Sequence, residues 1–129
     1  MTANHSTVVL TASTSGTSTG RTTLFPSSRL VTVYVTVPES AADDIAGQLV
    51  SERLAACVNA VPCDSTYRWE GSVHRDSEVI LLVKTTSDAV ERLTDRIGEL
   101  HPYDVPCIEQ FEEDQVLPAF ADWRADSVD

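Results

Sequence analysis

Three cysteines are the side chains of this chain best suited to chemistry. Cys57 sits in Ala56-Cys57-Val58-Asn59, Cys63 follows Pro62, and Cys107 follows Pro106. A thiolate is a soft ligand of the kind that selects Cu(I) and zinc; a free cysteine within a strand is equally able to serve as a small buried hydrophobe. The spacing Cys57-x5-Cys63 is no chelating motif and no Cys-x-x-Cys occurs, which leaves Cys63 to adventitious capture of metal or oxidant. His101 precedes Pro102. Its imidazole can hold a metal or exchange a proton near neutral pH, or it can bond a free carbonyl at a helix end. With Tyr103 and Asp104 it would line a cleft. Tyr67 and Trp69 are two residues apart and so share a strand face; aromatic residues of these types favour interfaces. Lys84 is the only lysine. It either holds an anionic ligand or extends to water. Glu109, Glu112, Glu113 and Asp114 read as a solvated face, with weak binding of a hard cation as the lesser reading. No Gly-x-Gly-x-x-Gly, phosphate-loop lysine or Gly-x-Ser-x-Gly motif is present, and a strand interior suits an attacking thiolate poorly, so a binding protein is expected rather than an enzyme.

The elements that must position these groups follow from periodicity. Val31, Val33, Val35 and Val37 alternate with Thr32, Tyr34 and Thr36, the pattern of a β-branched strand. Ser40-Ala-Ala-Asp43 resembles a capping box and predicts a helix to about Leu54. A second strand runs from Ala56 to Val61, is broken at Pro62, and continues as a ribbon from Ser65 to Gly71. A third spans about Val73–Thr85, and its core Val79–Val83 predicts burial on both faces. Ser87-Asp88 opens a second helix whose apolar stripe is Val90, Leu93, Ile97 and Leu100. His101-Pro102 closes it. A fourth strand is expected over 106–112 and a last helix over about 117–125, carrying Phe120 and Trp123. The order β-α-β-β-α-β plus a helix is the α+β, ferredoxin-like sandwich, with the first and third strands central.

That topology constrains the thiols. Cys57 and Cys107 fall on opposite edge strands, three spacings or roughly 14 Å apart, too far to share an ion with metal–sulfur bonds of about 2.3 Å. A site using both must form between subunits. Exposed edges invite pairing, and a closed ring of copies removes them.

Composition narrows the class. The 129 residues carry 20 acids against 9 Lys and Arg, a formal charge of −11, and are 42% apolar, which suits one domain with a packed core. A nucleic-acid partner or an anionic membrane surface is not expected without clustered bases. No apolar run approaches a bilayer span, and no signal-peptide pattern opens the chain, so a reducing cytoplasm is the expected compartment. An acidic, lysine-poor surface suits a salt-rich cytoplasm. Half of residues 1–28 are Ser or Thr and Arg21 is their only charge; this segment reads as a disordered tail ahead of a domain over 29–129.

Four segments carry a resemblance: Leu54-Ala-Ala-Cys-Val-Asn59, Tyr67-Arg-Trp-Glu-Gly71, Glu78-Val-Ile-Leu-Leu-Val-Lys-Thr85 and His101-Pro-Tyr-Asp-Val-Pro106. In this order and at these separations they resemble the CutA family, named for divalent-cation tolerance. The resemblance implies a homotrimer similar in architecture to the PII signalling proteins, which bind nucleotides between subunits. It also implies a cytosolic role in the response to metal ions, copper above all, with Cys57, His101 and Cys107 as candidate ligands. Cys107 stands where most relatives have a glutamate, and Phe120 where they tend to have a tyrosine. Two alternatives stay open: a PII-like sensor with an anionic ligand near Lys84 and His101, and a structural trimer that binds metal incidentally.

Overall fold

A computed structural model describes residues 29–129; the tail expected over 1–28 lies outside them. Strand β1 (Leu30–Pro38) is followed by helix α1 (Glu39–Ser51) and then by the hairpin of β2 (Cys57–Trp69) and β3 (Ser72–Thr86). Helix α2 (Val90–Leu100), strand β4 (Ile108–Glu112) and helix α3 (Pro118–Ser127) complete the chain. The sheet order is β2-β3-β1-β4 with every neighbouring pair antiparallel, so the first and third strands are central, as the pattern predicts. This is the ferredoxin-like arrangement with an added C-terminal helix.

Alternation explains the core. Val31, Val33, Val35 and Val37 point to one side of β1 and are essentially inaccessible, as are Leu81 and Val83 opposite them on β3. Leu49 of α1 and Leu93 and Ile97 of α2 close over this layer and are equally buried. Each such side chain contributes about 1.5–3 kcal/mol through the area it removes from water. The opposite side differs from expectation: Ile80 and Leu82 are only half-buried. A continuous apolar run therefore reports two faces that avoid water, yet within this chain helices cover just one of them.

Local signals are corrected in five places. Pro62 does not break β2, which runs unbroken through Pro62 opposite Val79; β2 is an edge strand, where a missing N–H is tolerated. The capping box at Ser40–Asp43 is not formed: α1 starts at Glu39 behind Pro38, with no side-chain cap. It ends at Ser51 rather than Leu54 because Arg53 turns into the left-handed region, φ 61°. Arg53 is held there by its ion pair with Asp129 at 2.6 Å and its bond to the Asp126 carbonyl at 2.8 Å. Helix α2 starts at Val90, not at Ser87, whose hydroxyl instead accepts from the Arg29 N–H at 2.9 Å. Strand β4 starts at Ile108 rather than Pro106.

The β2–β3 hairpin closes on Glu70-Gly71, both at positive φ (50° and 84°), the turn whose twist matches the strands it joins. Residues 72–77 of β3 pair with β2 alone, since β1 pairs β3 only from Glu78 onward. The hairpin thus overhangs the sheet as a two-stranded ribbon, a form that has little stability in water by itself.

Candidate functional site

Register assigns the chemistry to the side of the sheet away from α1 and α2. Direct partners share a face. Cys57 opposes Lys84, Asn59 opposes Leu82, Val61 opposes Ile80 and Cys63 opposes Glu78. Across β1 the same layer holds Thr32, Tyr34 and Thr36, and on β4 it holds Glu109 and Phe111. Cys107, one residue before β4, continues that alternation. Tyr67 and Trp69 extend it along the overhanging ribbon, on one face as expected and both half-buried. All three cysteines are free and half-buried.

At the end of α2 a polar network locks the loop onto this layer. His101 is the residue on which α2 stops and is 6% exposed. Its Nδ1 accepts from the Tyr103 N–H at 3.1 Å, so Nε2 carries the proton and donates it to the Thr36 carbonyl at 2.8 Å. Burial lowers its pKa and keeps the ring neutral. Both nitrogens are therefore spent on backbone, and the imidazole offers no free lone pair for the metal-ligand role considered for it. The Tyr103 ring packs on His101 with centroids 4.7 Å apart, and its hydroxyl donates to Glu78 Oε2 at 2.8 Å. Burial and then that bond raise the Tyr103 pKa.

Glu78 is the residue sequence reading missed. It is wholly buried, and its Oε1 has no hydrogen-bond partner. A buried carboxylate oxygen without a donor is costly and rare. The available signal was parity: Glu78 occupies the row of Ile80 and Leu82, an acid where an apolar side chain belongs.

The thiols do not meet. Cys57 on β2 and Cys107 beside β4 lie at opposite edges of the sheet, about 14 Å apart by strand spacing, as topology predicts. Burial, with the Glu109 charge beside it, pushes the Cys107 thiol up to about 11. Burial also raises Tyr34, as do Cys107, Cys63, Glu109 and Glu78 around its phenol. Among the described residues no three His, Cys, Asp or Glu converge as a metal cage. Lys84 Nζ donates to Asn59 Oδ1 at 3.0 Å, beside Cys57.

The remaining candidates are dispersed. Tyr67 stacks on His74 at 5.6 Å and donates to Asp76, which raises its pKa to about 12. Asp104 is exposed and, with Tyr103, lines a cleft of about 500 Å³ between α2 and β4 that also holds Thr94, Asp95 and Gln110. The acidic run is not one solvated face: Glu112 pairs with Arg29 at 3.0 Å, and Glu113 pairs with Arg124 through both oxygens at 2.7 and 2.8 Å. Arg124 is wholly buried, a second residue that the sequence did not single out.

A family model described as CutA1 divalent ion tolerance protein matches residues 31–127. The chain is 50% identical over 93 residues to the divalent-cation tolerance protein CutA of Thermus thermophilus, covering 70% of this chain and 90% of that protein. The crystal structure of CutA1 from Oryza sativa superposes with a TM-score of 0.76 at 38% identity, over 78% of this chain and 94% of that one. A structure described as the periplasmic divalent cation tolerance protein CutA from Archaeoglobus fulgidus gives 0.75 at 34% identity, over 78% and 99% of the respective chains.

Proposed function

Because this chain belongs to the CutA1 divalent ion tolerance family, we propose that it works as a homotrimeric metal-responsive binding protein rather than an enzyme, with copper as the preferred ion. One observation carries the reading. The sheet face that no helix covers is amphipathic, combining Tyr34, Ile80, Leu82 and Phe111 with three thiols. The apolar members call for a partner surface, and the ribbon beyond Pro62 calls for a support. Copies of the same chain around a threefold axis supply both. They also bring Cys57 of one edge to Cys107 of a neighbour's opposite edge, which a single chain cannot do. Thiolates paired in this way form a soft donor set, the kind that selects copper over hard cations.

The PII-like alternative is the weaker reading. An anionic ligand near Lys84 would find one ammonium, already donating to Asn59, and no help from His101, whose nitrogens are both engaged. Titration calorimetry with copper, zinc and nucleotides, alongside light scattering, separates the readings. Saturable copper binding by a trimer, weakened in both Cys57→Ser and Cys107→Ser, is the expected result. Unchanged binding in both variants overturns the intersubunit site, and nucleotide binding favours the alternative. A trimer silent to every ligand leaves a structural role.

Compartment belongs to the same reading. No described helix is long and apolar enough to cross a membrane. The three unpaired thiols suit a reducing cytoplasm, although the Archaeoglobus counterpart carries a periplasmic description. Twenty acids against nine bases further suit a salt-rich interior. The melting temperature is expected to rise with potassium chloride above physiological strength as screening relieves carboxylate repulsion; a flat or falling curve counts against it.

A further inference from the structure

Glu78 and Cys63 stand directly opposite each other on β3 and β2 and share the open face. Cross-strand partners hold their Cβ atoms about 4.5–5.5 Å apart. A tetrahedral ion with metal–sulfur and metal–oxygen bonds of about 2.3 and 2.1 Å needs its two donors roughly 3.6 Å apart, a gap that side chains from such Cβ atoms reach. Two features set this pair apart from an ordinary strand contact. Glu78 is wholly buried with Oε1 unpartnered, while Oε2 is fixed by the Tyr103 hydroxyl at 2.8 Å. Such an outer bond orients a ligating carboxylate. Among the described residues the Cys63 sulfur has only a long contact with Ser65 Oγ at 3.8 Å, and Cys63 is half-buried on the strand directly opposite Glu78. No lysine or arginine pairs with Glu78 among the described residues.

We infer that Glu78 and Cys63 form a carboxylate–thiolate site for a thiophilic divalent cation, built within one chain and independent of the Cys57–Cys107 edges. On binding, the thiol proton leaves to solvent as the metal–sulfur bond forms, Oε1 gains the partner it lacks, and water completes the coordination. The inference rests on the metal-binding reading and assigns it a place.

The test titrates the full chain with Cd2+, which has no redox chemistry of its own here, and follows the thiolate-to-metal charge-transfer absorbance. Wild type, Cys63→Ser, Glu78→Gln and the double variant Cys57→Ser/Cys107→Ser are compared at matched circular dichroism. The double variant should keep the share of the band that Cys63 contributes, and Cys63→Ser should lose that share while the Cys57–Cys107 share remains. Glu78→Gln, which keeps the shape and the Tyr103 contact, should keep the band but weaken affinity by about tenfold or more. A tight band that survives Cys63→Ser yet vanishes in the double variant overturns the site while leaving the metal-binding reading intact. Affinity unchanged in Glu78→Gln also overturns it. No band and no heat in any protein removes both.

Discussion

Replacing Arg124 with methionine is expected to destabilise the fold by about 3–5 kcal/mol, the usual cost of stripping one partner from a buried ion pair. The arginine is inaccessible at the junction of α3 with the sheet. It donates to both Glu113 oxygens and to the carbonyls of Val31 and Thr85, and its guanidinium lies 5.2 Å from the centre of the Phe120 ring. Methionine fills much of the volume, leaving the loss concentrated in unpaired acceptors. Burial alone would raise the Glu113 carboxyl, but the Arg124 hydrogen bonds and charge, with Thr32 helping, outweigh it and hold the pKa below its ordinary 4.5. Folding then favours the ionised form. That share of stability is present above pH 4.5 and is lost as pH falls through the lower folded value. Urea denaturation at several pH values checks both parts: the variant should lose stability at neutral pH and lose less on acidification than wild type. A neutral-pH loss under about 1 kcal/mol would make the pair peripheral.

Leu82→Asp is expected to convert the proposed trimer to monomers without unfolding the chain. Leu82 lies between Asn59 and Tyr34 in the centre of the uncovered sheet face, and it points away from the core sealed by Leu49, Leu93 and Ile97. If that face meets its copies, each subunit buries one uncompensated carboxylate at a cost of several kcal/mol, enough to weaken association by about a thousandfold or more. Light scattering reads the mass and circular dichroism the fold. Asp44→Lys on the exposed side of α1 is the control that should leave both unchanged. A Leu82→Asp protein that remains trimeric would place the interface elsewhere, and with it the intersubunit role of Cys57 and Cys107.

Periodicity alone carried the architecture a long way. A strand or helix is recognised by which positions avoid water, and the alternating valines of β1 and the three-and-four spacing of Val90, Leu93, Ile97 and Leu100 state that plainly. Termini were less legible because they depend on distant partners. Arg53 ends α1 through Asp129, seventy-six positions away, and Pro62 is harmless only because β2 lies at an edge.

Sequence by itself determined the element order, the family and the impossibility of a Cys57–Cys107 site inside one chain, since each follows from local pattern and strand count. Only the tertiary structure decided what the polar side chains do. It spent both nitrogens of His101 on backbone, gave Glu113 to Arg124, and buried Glu78 opposite Cys63 with one oxygen unmet. The physical reason is range: burial of apolar surface is nearly additive along the chain and writes itself as a repeat, whereas a hydrogen bond or ion pair depends on a few ångströms and an angle between residues that the sequence holds far apart.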